Sequence, residues 1–199
     1  MSNCDIVYVQ LLNNIFIAST SCELYGEMYA SIIDQLRTSV PELNINTFMN
    51  TYIDNYIKDF HNIPDISPVD NYDEYCRVVK QHDIRKNTSI LITWLYKKNV
   101  ITIEHLFNLI TTLLNTIQTY IYESNVINDV EVMTENIYLL IIHTHSRISR
   151  SDKEDQWFDV TMPKIYDIAN TTAQKKDLLK SSNDRIMFKF KQLVEVIEA

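Results

Sequence analysis

The sequence predicts an all-α protein, and three observations predict it. The 199 residues include 1 Gly and 4 Pro, too little glycine for the tight hairpins, bulges and phosphate loops that depend on it. Apolar residues recur at helical spacing almost from end to end. Short polar turns separate many of the helical runs, so neighbouring helices pair antiparallel. With 46% apolar and 22% charged residues, the whole chain, 1–199, reads as one folded domain with a proper core.

The elements follow in order. Val7, Leu11, Ile15 and Ala18 share one face, with Leu12 and Phe16 beside them, and Ser19-Thr20-Ser21 breaks the run. Leu24, Met28, Ile32 and Leu36 form a second apolar stripe that ends before Pro41. Phe48, Tyr52, Tyr56 and Phe60 form a third from Ile45, capped by Asn44 or Asn46, whose short side chain accepts from a free amide. Pro64 and Pro68 make 61–71 a linker. Helices are expected at 72–86 and 88–98, the latter carrying Leu91, Trp94 and Leu95. Thr102 opens a helix with Leu106, Leu109, Ile110, Leu113 and Ile117 inward, and after a polar turn at 124–129 another runs from Val130 to His145. Asp152 caps a helix carrying Trp157, Val160 and Ile165, which Pro163 kinks or splits. Ser182, Asn183 or Asp184 caps the last, with Ile186, Phe190, Leu193 and Ile197 inward.

Nine or ten helices in antiparallel pairs of about 40 residues suggest a helical-repeat solenoid of HEAT type, with about five pairs. No continuous heptad runs through them, which argues against a coiled coil. A repeat of this kind cannot bury its apolar face alone. It stacks on its neighbours and leaves long curved surfaces suited to partners.

The formal net charge of −8 disfavours global attraction to nucleic acid or an anionic membrane. Local RNA contact would fall to the basic pairs Arg85-Lys86, Lys97-Lys98 and Lys175-Lys176; their bland reading is solvated helix surface. The three cysteines, Cys4, Cys22 and Cys76, have no paired spacing, which points to a reducing compartment, the cytoplasm. The N-terminus does not read as a secretory signal, and no stretch reads as a membrane span. Heavy use of Asn, Ile, Tyr and Asp over Gly, Ala and Arg suggests an AT-rich genome, such as that of a large DNA virus or a parasite.

The residues suggest no chemistry. His143 and His145 are the only close histidine pair, and an i, i+2 pair on a helix points two ways, which suits zinc poorly. There is no Cys-x-x-Cys, Gly-rich phosphate loop or Gly-x-Ser-x-Gly elbow. Acid pairs such as Asp73-Glu74 read as solvated surface. The sequence therefore predicts no enzyme, cofactor, metal or small-molecule substrate.

Three segments carry a resemblance. The first is Ile15-Phe16-Ile17-Ala18-Ser19-Thr20-Ser21-Cys22-Glu23-Leu24-Tyr25, with Tyr29-Ala30 following. The second is Leu95-Tyr96-Lys97 with Ile101-Thr102 behind it, and the third is Arg185-Ile186 with Phe188 at the start of the last helix. In this order they resemble the middle domain of eukaryotic translation initiation factor 4 gamma. The family's Glu-Pro turn, its two glycines in the second segment and its second arginine in the third are replaced here.

That resemblance implies five HEAT-like repeats that bind a DEAD-box RNA helicase and clamp its two lobes, often with RNA as a third party and a cap-binding protein reached indirectly. A scaffold accelerates such a helicase only through differential contacts with its states. The resemblance places those contacts at the Ser19 to Glu23 turn (Ser19, Ser21, Glu23) for one lobe, and at Lys175, Lys176 and Arg185 for the other. Arg185 reads equally as a helix-start residue paired with a nearby acid. The competing expectation is a viral α-helical decoy of Bcl-2 type that binds a host helix in a groove, although Trp94 is not followed by the Gly-Arg of that family's groove.

Overall fold

With a single glycine in the chain, left-handed turns fall to asparagine, which tolerates positive φ better than most side chains. Asn62, Asn99 and Asn125 have φ of 58°, 58° and 66°, each in the connection that follows a helix. A computed structural model describes residues 3–151, 153–174 and 178–199; these residues are helical and contain no strand. The helices are α1 (Asn3–Ser19), α2 (Gly26–Ser39), α3 (Ile45–Lys58), α4 (Tyr72–Lys97), α5 (Ile103–Tyr120), α6 (Ile127–Ile148), the single turn α7 (Glu154–Gln156), α8 (Met162–Gln174) and α9 (Asp184–Glu198).

Caps explain most of the starts. Asn44, Asn71 and Asn183 accept from the amides of Thr47, Glu74 and Ile186, the usual arrangement of a short polar cap. At α5 the Thr102 amide and hydroxyl both reach His105 Nδ1, at 3.2 and 2.8 Å. The end of α4 is a Schellman turn: Val100 N–H donates to Leu95 O at 2.9 Å and Asn99 N–H to Tyr96 O at 3.0 Å.

The described residues differ from the expected elements in four places. The break at 87 is absent, and the turn expected at 124–129 lies earlier, at 121–126: α4 runs unbroken through Asn87, and α6 starts at Ile127. No Gly or Pro interrupts α4 at Asn87, so packing carries the helix across weak helix formers. Eight helices longer than a single turn result, not nine or ten. Pro163 does interrupt its helix. It has no N–H to donate, and the chain before it widens into a π turn, Trp157–Thr161, in which Met162 N–H reaches back to Trp157 O. Trp157 and Ile165 are buried there while Val160 faces solvent; Asp152 lies outside the described residues.

The other two differences are rotations. On α1 the inward face is Leu12, Phe16 and Ser19, leaving Val7 and Leu11 exposed; on α2 it is Gly26, Ala30 and Ile33, leaving Leu24 and Met28 exposed. Small residues let the chain come closer than the larger apolar stripe would. A Cβ on Gly26 would stand 3.0 Å from Trp94 Cδ1, so α2 approaches α4 where the chain keeps its one glycine.

Packing follows a simple order. α2, α4, α6 and α9 lie side by side in that sequence, α3 packs on α5 and α5 on α8, while α1 joins α2, α5 joins α6 and α8 joins α9. One contiguous core runs from Leu12 to Ile197. Inside it the Tyr56 hydroxyl lies 2.8 Å from the Arg85 carbonyl oxygen, 2.8 Å from Ser89 Oγ and 3.1 Å from Asn136 Oδ1, tying α3, α4 and α6 through buried polar groups that satisfy one another. The buried Asp129 carboxylate accepts from the amides of Asn62 and Ile63 at 2.9 and 2.7 Å, which pins the proline-containing 61–71 segment to α6.

Candidate partner-binding surface

The turn after α1 is built from hydroxyls that fold back on the helix end. Ser19 Oγ donates to Phe16 O at 2.8 Å and Ser21 Oγ to Ala18 O at 2.6 Å, competing with the next helical bonds and ending the helix. Cys22 is extended, and a 3-10 turn, Glu23–Tyr25, leads directly into α2. The Asn87 amide donates to Thr20 O at 2.8 Å, so the turn is anchored on the middle of α4. Ser19 is buried in this arrangement, whereas Ser21 and Glu23 are exposed. Beside them Leu24 is 81% exposed, and Tyr25 and Met28 also face solvent. The turn thus presents a carboxylate among three large apolar side chains. Helical spacing alone assigned Leu24 and Met28 to the core; the 3-10 geometry turns them out.

At the opposite end, Arg185 opens α9 and reaches back across α6. Its guanidinium nitrogens lie 3.4 Å from Glu131 and 3.4 Å from Glu135, and the side chain remains 61% exposed. Asn183 Nδ2 also binds Glu131. The nearby His82 imidazole is held below its ordinary pKa by burial first, then by Arg85 and Lys86. Lys175 and Lys176 lie outside the described residues.

The basic pairs on α4 do not form one patch. Arg85 Nε donates to the Asp59 carbonyl at 2.9 Å; Lys86 lies 3.8 Å from both Asp83 and Glu135. Lys97 sits over the Trp94 ring at 4.4 Å, and Lys98 lies 3.6 Å from Glu27. The two pairs stand about 18 Å apart along the helix. A second basic group was not foreseen from the sequence: Arg147 donates to Lys97 O and Asn99 Oδ1, each at 2.6 Å, and Arg37 donates to Asn99 O at 2.7 Å. These guanidinium groups close the last carbonyls of α4, where cations are favoured. Their partners are some 50 to 60 residues distant in the chain, beyond the reach of local spacing.

A groove of about 650 Å³ opens between α1 and α3. Tyr8, Leu12, Phe48 and Tyr52 supply its apolar wall, and Glu42 is its single charged residue. Burial drives the Tyr52 hydroxyl up to about 12. Elsewhere His145 stacks near Trp157, ring centroids 5.5 Å apart. Among the described residues no group of three or more His, Cys, Asp or Glu is placed to hold a metal ion, and no helix is long and apolar enough to cross a membrane.

No family model, no curated protein and no solved structure matches the chain.

Proposed function

We propose that this chain is a helical-repeat scaffold of HEAT type that binds a DEAD-box RNA helicase and raises its turnover by holding its two lobes in a productive arrangement, as the resemblance to the middle domain of initiation factor 4 gamma implies. The observation that carries the reading is the packing order. α2, α4, α6 and α9 follow one another in one row, with α3, α5 and α8 in a second. Each helix packs chiefly on its neighbours, as in a stack of repeats; a bundle of Bcl-2 type would wrap its helices around one central helix.

The two ends of such a stack are joined through one core, which suits a clamp. The Glu23 turn, with Leu24 and Tyr25, grips one lobe, and the Arg185 end grips the other. Apolar anchors around a single charge are what a protein contact requires. RNA plays a minor part in this reading, because the α4 lysines face acids or a ring and the net charge is −8.

Binding tests the proposal. The purified chain, used as bait with purified DEAD-box helicases of the initiation type, should retain one at about 1:1. Leu24→Asp and Arg185→Glu should each weaken retention about tenfold or more. A second reading, a groove-binding decoy, draws on the apolar groove between α1 and α3. Capture of an amphipathic helical peptide there, blocked by Phe48→Glu, together with no helicase retention, would favour it.

A further inference from the structure

Two arginines without an acidic partner among the described residues meet beside the end of α4. Arg147 is fixed by three contacts. It donates to Lys97 O and Asn99 Oδ1, each at 2.6 Å, and its guanidinium lies over the Tyr96 ring at 4.9 Å. Arg150 follows three residues later, just past the end of α6. Both line a pocket of about 400 Å³ together with Tyr96, Asn99, Thr102 and Ser151, and among the described residues no carboxylate lines it. Arg150 is exposed there and makes no hydrogen bond that the fold depends on, whereas Arg147 closes the carbonyls of α4.

This pocket runs against the charge of the whole chain, which is −8. Cations close to it in the chain or in space are answered by acids: Arg37 by Asp34 at 2.6 Å, Lys98 by Glu27 at 3.6 Å and Lys153 by Glu104 at 3.8 Å. Arg147 and Arg150 are not. A guanidinium is a planar fork of donors that matches the oxygens of a phosphate, and one already fixed by its own contacts loses little freedom on binding. Asn99 adds a donor: its Oδ1 accepts from Arg147, which leaves Nδ2 for a ligand. The ring in the wall is not offered to a nucleobase, because Tyr96 is 6% exposed and Arg147 covers its face; a base finds no stacking platform. The other basic pair of α4 stands about 18 Å away along the helix, so no continuous track for successive RNA phosphates leads from the pocket.

We propose that the Arg147–Arg150 pocket binds the phosphate of a phosphomonoester that carries no base: a phosphorylated serine or threonine side chain, or a small phosphorylated molecule. A monoester phosphate is close to a dianion at neutral pH and presents three acceptor oxygens, enough for both guanidinium groups and for Asn99 Nδ2. An internal RNA phosphate carries a single charge and brings further charges that the rest of this acidic surface repels. The contacts to phosphate are few and open to water, so Kd is about 1 mM at low salt and falls off as salt rises.

The test is an NMR chemical-shift titration of the isotope-labelled full chain at low salt, reading backbone amides and arginine Nε–H groups. The probes are sodium phosphate, phosphoserine with blocked ends and oligouridylate, with sodium chloride at matched ionic strength as the blank. Phosphate and phosphoserine should give saturable shifts at Asn99, Thr102, Arg147 and Arg150; tighter binding of phosphoserine assigns the ligand to a protein side chain, and equal or tighter binding of free phosphate assigns it to a small molecule. Arg150→Gln should weaken binding about tenfold or more with an unchanged urea midpoint, and Lys191→Gln, which removes the same charge from α9, should not. Shifts no larger than those from chloride overturn the proposal, as does binding that Arg150→Gln leaves intact or that Lys191→Gln weakens equally. Oligouridylate bound at these residues more tightly than phosphoserine overturns it too. Neither Leu24 nor Arg185 lines the pocket, so this proposal and the helicase reading can each fail alone.

Discussion

Single residues decide how this chain manages polar groups inside an apolar core. Tyr52 is pushed to about 12 by burial, and burial drives Tyr56 further in the same direction, against about 10 for a free phenol. Both folded values lie above the unfolded one, so the neutral hydroxyls stabilise the fold fully below pH 10. That contribution disappears as the pH rises through the folded values. Thermal melts should hold steady from pH 8 to 9.5 and drop steeply above about pH 10.5, and Tyr56→Phe should flatten part of the drop at a cost near 1 kcal/mol at neutral pH. Asp129 makes a second case. Its carboxylate holds two loop amides, and Asp129→Ala should cost about 3 kcal/mol in urea unfolding and speed amide exchange at Asn62 and Ile63. Asp129→Asn, which keeps one acceptor, should cost roughly half. The capping asparagines were legible in the sequence because a cap acts within three residues. Asp129 was not: its partners lie 66 and 67 residues away, and nothing local marks a carboxylate in a polar turn as buried.

At the scale of elements, close approach and left-handed turns set the helix arrangement. α2 meets α4 at Gly26, where a Cβ would stand 3.0 Å from Trp94 Cδ1 and 3.4 Å from Ile90 Cγ2. Helix propensity favours Gly26→Ala by about 1 kcal/mol, and the half-exposed Trp94 can yield by a few tenths of an ångström. Gly26→Ala should therefore be nearly neutral in chemical denaturation, while Gly26→Val should cost more than about 1 kcal/mol. The α4 terminus depends on Asn99 in the left-handed region. Asn99→Gly should keep the Schellman turn, and Asn99→Ala should lose about 1 kcal/mol. Helical period and turn chemistry made nearly every element readable beforehand: α5 and α9 bury the predicted residues, whereas α3 buries Ile45, Met49 and Ile53 with Tyr56 and leaves Phe48 and Tyr52 half-buried along the groove. Period alone could not set the rotation of α1 and α2. Two apolar stripes compete on each, and the narrower one, with Ser19, Gly26 and Ala30, wins because it allows closer packing. Nor could it tell that α4 continues through Asn87, which is held by a bond to Thr20 at the end of α1.

For the whole molecule, the order in which helices pack matters more than any one contact. In the proposed scaffold, a row of helices joined through one core holds two gripped lobes at a set separation. Grip alone adds no rate; the gain comes from contacts stronger in one helicase state than in the other. The all-helical class was legible from glycine scarcity and periodicity. The surfaces were only half legible: Ser21, Glu23 and Arg185 are exposed at the two ends, but the apolar side chains around Glu23 and the arginines that close α4 emerge only in three dimensions.

The most direct measurement is the RNA-stimulated ATPase rate of a purified initiation-type DEAD-box helicase at subsaturating RNA, with increasing amounts of this chain. A saturable rise of several-fold is expected, reaching its plateau near one chain per helicase and lost with Leu24→Asp or Arg185→Glu. A rate that stays flat while both proteins remain folded and mixed at micromolar concentration would contradict it, and a saturable fall would recast the chain as a sequestering decoy.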